Sequence, residues 1–75
     1  MKESDIIQHI KDKGYKITPQ RRAIINALLI PDKPPTAKDV LEIVRNKYPD
    51  VGLDTVYRNL KMLADIGCVM QINLK

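Results

Sequence analysis

The sequence predicts a mainly α domain of about four helices followed by one short C-terminal strand. Three observations carry that prediction. Apolar residues recur at helical spacing in four separate segments. Each segment opens or closes on a capping or breaking residue. The three glycines, Gly14, Gly52 and Gly67, stand singly at segment boundaries rather than clustering in a phosphate-binding loop. A chain of 75 residues is at the small end of what folds alone, so residues 1–75 are read as one domain.

The first helix is expected from Ser4 to Lys13, with Ser4 as N-cap, Asp5 favourable to the helix dipole, Ile6, Ile7 and Ile10 inward, and Gly14 as the stop. A second start lies at Thr18-Pro19, a capping hydroxyl followed by a proline at the first helical position. Ile24, Ile25, Leu28 and Leu29 form its stripe, and Pro31 ends it near Ile30. The stretch Pro31-Asp32-Lys33-Pro34-Pro35 is a stiff connection, because its prolines lack donors and fix the backbone angle. Thr36 and Asp39 form a capping box for a third helix, whose Val40, Leu41, Ile43 and Val44 face inward up to about Lys47. Tyr48-Pro49-Asp50 breaks it. A fourth helix starts at Gly52, with Asp54 in its first turn, and runs to about Ile66 before Gly67. The tail Cys68-Val69-Met70-Gln71-Ile72-Asn73-Leu74 alternates in part and reads as a strand.

Composition narrows the function classes. Thirteen Lys and Arg against nine acidic residues give a net charge of +4 and a pI near 9.4, which favours phosphate-bearing partners. No apolar run approaches the roughly 18 residues of a membrane span, and the polar start Met1-Lys2-Glu3-Ser4-Asp5 is no signal peptide, so a soluble cytoplasmic protein is expected. One cysteine, Cys68, and one histidine, His9, suggest neither a disulfide, nor a metal site, nor a catalytic dyad; Cys68 reads as core and His9 as rim. No enzyme is expected.

The fourth helix carries the signs of function. Val56, Leu60, Leu63 and Ala64 fall on one side, and Asp54, Arg58, Lys61, Met62 and Asp65 on the other, with Thr55 and Tyr57 between. A helix anchored by one apolar face, and projecting Thr55, Tyr57 and Arg58 from its first two turns, suits insertion into the major groove. The planar fork of Arg58 matches guanine N7 and O6. Tyr57 suits a thymine methyl, a phosphate or the rim of the core, and Thr55 a phosphate, a base or its own backbone. Asn59 lies near the buried edge, where its amide either bridges to the neighbouring helix or reaches a base, and Lys61 points to phosphate. Lys16, Arg21 and Arg22 set three positive charges within seven residues, beside the exposed amides of a helix start, a second phosphate-binding cluster.

These residues resemble the ferric uptake regulators, metal- or peroxide-responsive transcription regulators. Gly14-Tyr15-Lys16-Ile17-Thr18-Pro19-Gln20-Arg21-Arg22 is similar to the family's Gly-x-[Arg/Lys]-x-Thr-x-x-Arg opening, and Gly52-Leu53-Asp54-Thr55-Val56-Tyr57-Arg58-Asn59-Leu60 to its recognition-helix signature. The resemblance runs from about Ser4 to Leu74. It implies a winged helix-turn-helix domain of a repressor-type regulator, whose last strand begins the wing. It also implies DNA contacts from Lys16 on the minor-groove side and from Tyr57 and Arg58 in the major groove, by paired copies, weakly dimeric, on a palindromic operator.

Full-length relatives bind zinc, iron or manganese mainly through a C-terminal domain that also dimerises. With Lys75 as the last residue, a truncated chain, an incomplete wing and no cofactor of its own are expected. Many relatives place a regulatory histidine where this chain has Pro34-Pro35-Thr36, and proline offers no ligand atom. Two further readings stand beside the DNA one. The first is a winged-helix module that binds protein through Tyr57 and Met62; the second is a metal sensor, which requires ligands from beyond Lys75.

Overall fold

A computed structural model describes residues 2–29 and 35–68. Its regular structure there is helical, apart from one bridge position at Thr36: α1 (Glu3–Asp12), α2 (Pro19–Leu28), α3 (Ala37–Arg45) and α4 (Leu53–Asp65). The expected strand after Cys68 and most of the proline-rich connection lie outside the described residues.

Local chemistry explains where the helices start. Thr18 Oγ1 accepts the Arg21 N–H at 3.0 Å, and Pro19 fills the first helical position of α2. Thr36 and Asp39 form the reciprocal box of α3: the Asp39 N–H donates to Thr36 Oγ1 at 3.0 Å, and the Thr36 N–H to Asp39 Oδ2 at 2.9 Å. At α1 the expected cap is displaced. Lys2, not Ser4, holds the N-cap position, because the Asp5 carboxylate, three residues on, accepts the Lys2 N–H at 3.4 Å. Ser4 is thereby absorbed into the first turn. At the far ends, α2 stops at Leu28, and α3 at Arg45, two residues short of Lys47.

Two helices end in the same way. After α1, the Gly14 N–H donates to the Lys11 carbonyl and the Tyr15 N–H to the Ile10 carbonyl; after α4, the Gly67 N–H donates to Ala64 and the Cys68 N–H to Leu63. This paired pattern requires a left-handed residue, and both glycines have φ of 87°. The second cap is sealed by burial of Cys68 and Leu63 on either side of it.

α2 packs against each of the other three helices, and α3 also packs on α4. Ile6 and Ile10 of α1, Ile24 of α2, Val40 of α3 and Val56 of α4 are wholly buried at their junction. Arg45 Nε donates to the Val51 carbonyl at 2.7 Å, and Val51 is itself buried, so the turn into α4 is held from both sides. His9 Nε2 lies 2.9 Å from the Ile66 carbonyl, joining α1 to the end of α4.

Three inward or outward assignments need correction. Ile43 is 39% exposed, because the buried stripe of α3 runs through Ala37, Val40 and Val44 and leaves it beyond the edge. On α4, Met62 is buried and Ala64 exposed, the reverse of expectation. The inward arc passes through Val56, Asn59, Met62, Leu63 and Ile66, with Leu60 at its margin, so it is rotated toward the Asn59 side.

Two measurements test these assignments. Thr18→Ala should cost about 1 kcal/mol in chemical denaturation while Ser4→Ala costs close to nothing, since only Thr18 caps a helix. Burial pushes the Cys68 thiol above its ordinary range. Folding stability should therefore be indifferent to this group below the unfolded thiol's pKa and fall as pH rises through the interval above it. Alkylation at pH 7.5 should accordingly be slow in the folded chain and fast in denaturant; equal rates would contradict the burial.

Candidate nucleic-acid interface

The rotation of α4 decides which side chains it offers. At about 100° per residue, Tyr57, Lys61, Asp54 and Arg58 share an outward arc roughly 100° wide. All four are exposed, Tyr57 to 46% and the Arg58 side chain to 78%. This arc begins in the first turn, immediately after the Gly52 cap. Tyr57 stands well out of the core rather than on its rim. Thr55, by contrast, turns toward the buried side and is half-buried.

Arg58 is not bare in the structure. Its Nη2 lies 3.6 Å from Asp54 Oδ2, one turn earlier on the same helix. With both side chains more than three-quarters exposed, such a pair is screened by water and salt and is readily exchanged for a stronger partner. The Asp54 carboxylate also folds back over the helix start: a Cβ added at Gly52 would meet its Oδ1 at 2.6 Å. Asp54 thus sits at the positive end of the α4 dipole.

The basic cluster ahead of α2 divides. Lys16 and Arg22 are exposed, whereas Arg21 is half-buried and its guanidinium is engaged. Arg21 Nε donates to Asn59 Oδ1 at 2.7 Å and Nη1 donates to the Lys16 carbonyl at 2.7 Å. Its Cζ lies 6.0 Å from the centre of the Tyr15 ring. Asn59, only 6% exposed, also donates from Nδ2 to the Thr55 carbonyl at 2.9 Å. Of the two roles open to Asn59 in the sequence, the structure takes the bridge to the neighbouring helix. Both ends of its amide are engaged inward, and burial shields the remaining N–H and lone pair from a base.

Sequence reasoning missed the Arg21–Asn59 bond, yet a signal was present. Arg21 continues the buried stripe of α2 through Ile24, Ile25 and Leu28, and Asn59 lies on the stripe of α4 between Val56 and Leu63. Polar residues on two facing core stripes satisfy each other. Among the described residues no buried side-chain nitrogen or oxygen lacks a partner.

Other candidate chemistry is thin. Among the described residues no three His, Cys, Asp or Glu side chains gather closely enough to hold a metal ion. None of the described helices is long and apolar enough to cross a membrane. A groove of about 700 Å³ lies between α2 and the second half of α3, floored by Ile17, Ala27 and Ile43 and flanked by Arg22 and Lys47.

Comparison with known proteins converges on one group. The model of the ferric uptake regulator family matches residues 12–75. The peroxide-responsive repressor PerR of Staphylococcus saprophyticus is 34% identical over 68 residues, covering 91% of this chain and 46% of the repressor. The ferric uptake regulation protein of Staphylococcus epidermidis is 33% identical over 75 residues, covering 100% of this chain and 54% of that protein. The chain thus spans about half the length of the curated relatives it matches. Among solved structures, PerR from Streptococcus pyogenes superposes with a TM-score of 0.78 at 32% identity, over 87% of this chain and 44% of that one. The fold is therefore the mainly α, winged-helix arrangement of those regulators.

Proposed function

The chain belongs to the ferric uptake regulator family, and from that premise we propose that it is the sequence-specific, double-stranded DNA-binding domain of a repressor-type transcription regulator. The observation that carries the proposal is the outward arc of α4. Tyr57, Arg58 and Lys61 project together from a helix whose opposite side is locked into the core.

In this reading α4 enters the major groove. Arg58 exchanges its exposed bond to Asp54 for the N7 and O6 of a guanine, which a guanidinium meets with two parallel donors. Tyr57 lies against a thymine methyl or a phosphate, and Lys61 against phosphate. Thr55, half-buried, is confined to the edge of the contact. Lys16 approaches from the minor-groove side, and Arg22, in the first turn of α2, takes a phosphate through its exposed side chain at the positive end of that helix. Two copies on a palindrome place two such helices one DNA turn apart, so a single copy binds weakly.

The described residues supply no donor set for the metals that family membership suggests. His9 is committed to the Ile66 carbonyl, and Cys68 is buried at the cap of α4. No step of the proposal runs through a metal.

A protein-binding module is the second reading, favoured by the carboxylate of Asp54 beside Arg58 and by the exposure of Leu53 and Tyr57. Burial of Met62 removes one of the two side chains, Tyr57 and Met62, that this reading relied on.

The test is a salt titration against a duplex selected by this chain from a random 20-base-pair library. Affinity should fall steeply with salt. Arg58→Lys should keep most of that salt slope but lose preference at one guanine, by about 1 to 3 kcal/mol, or roughly 5- to 150-fold. Binding indifferent to salt, or unchanged preference in Arg58→Lys, would contradict the proposal.

A further inference from the structure

We infer that Arg21 and Asn59 form a register brace, a pair of positioning residues that hold the α1–α2 loop and α4 at one fixed separation, so that Lys16 and the Tyr57–Arg58 surface meet DNA as a single unit. The inference rests on the DNA-binding reading above and assigns Arg21 a role that its charge alone does not suggest.

The geometry has three parts. First, one planar guanidinium serves two acceptors from distant parts of the chain: Asn59 Oδ1 on α4 and the Lys16 carbonyl in the loop, each at 2.7 Å. A rigid fork fixes both the distance and the angle between its acceptors, which a flexible ammonium does not. Second, the carbonyl that is held belongs to Lys16 itself. Any displacement of that peptide carries the Lys16 side chain with it. Third, Asn59 passes the constraint on to the reading turn, because its Nδ2 donates to the Thr55 carbonyl at 2.9 Å. Thr55 directly precedes Val56 and Tyr57 on α4.

Arg21 is also built into its own helix start. Its backbone N–H is the donor that Thr18 caps, at 3.0 Å, so the guanidinium springs from a fixed point. The Tyr15 ring, 6.0 Å from Cζ, stands on another side of it. Asn59, at 6% exposure, cannot touch a nucleic acid without the helix leaving its seat. That makes Asn59 the decisive probe, since its removal deletes no direct contact to DNA.

The alternative is that Arg21 contacts a phosphate directly. The two assignments predict different results for three variants of the chain, each checked for folding by thermal melting and measured on the selected duplex. A brace predicts that Asn59→Ala and Arg21→Ala each weaken binding on the order of tenfold, and that the double variant is no weaker than the poorer single one. It further predicts that Arg21→Lys behaves like Arg21→Ala, because charge survives but the fork does not. A phosphate contact predicts near-normal binding by Arg21→Lys, and in Arg21→Ala a salt slope lower by about one with Asn59→Ala unaffected.

A second readout needs no DNA: the Arg21 Nε–H proton should exchange slowly with solvent in the wild type and rapidly in Asn59→Ala. Wild-type binding together with undiminished binding by Asn59→Ala would overturn the brace alone. A wild type that binds no duplex would overturn the DNA reading, and this inference with it.

Discussion

What α4 can present to a partner depends on how it sits against α2 and α3. Val56, Leu63 and Ile66 are buried there, and their burial determines which side chains look outward. A buried aliphatic side chain is worth roughly 1.5 to 3 kcal/mol, far more than any exposed ion pair on the same helix. The core therefore dictates the orientation of α4, and the surface charges follow. Arg58 and Lys61 are available because they lie roughly 140 to 160° around the helix from Val56 and Leu63.

Polar interactions refine that seat. The ends of α4 are held by the Arg45 bond to the Val51 carbonyl on one side, and by the Gly67 cap with His9 against the Ile66 carbonyl on the other. Between them, Asn59 and Arg21 add a directional contact that an apolar stripe cannot supply, since apolar packing tolerates small rotations and hydrogen bonds do not. A helix clamped at both ends and in the middle suits a surface whose contacts must match fixed positions on a duplex.

Much of this was legible in the sequence, for physical reasons that can be named. Thr18-Pro19 and Thr36 with Asp39 specify helix starts through local bonds, and Gly14 and Gly67 specify ends through a backbone conformation that other residues resist. Ser4 misled because capping residues compete: an aspartate three residues after Lys2 supplied the acceptor first. Errors of facing had a different origin. Met62 and Ala64 exchanged places because an apolar stripe drawn from residue type alone centres on Leu60, whereas the partner surface includes Arg21 and draws the arc toward Asn59. Periodicity reports that a helix has an inner side; the neighbouring helix decides where its middle lies.

The central claim is that the α4 arc and the Lys16 loop form one DNA-binding surface. Titrating the nitrogen-15-labelled chain with its selected duplex, and following each backbone amide by NMR, tests this most directly. A single surface predicts that the large shifts fall together on residues 15–22 and 53–61, while the groove residues Ile43, Lys47 and Tyr48 stay unmoved. Shifts centred on Ile43, Lys47 and Tyr48, or none at saturating duplex, would contradict it.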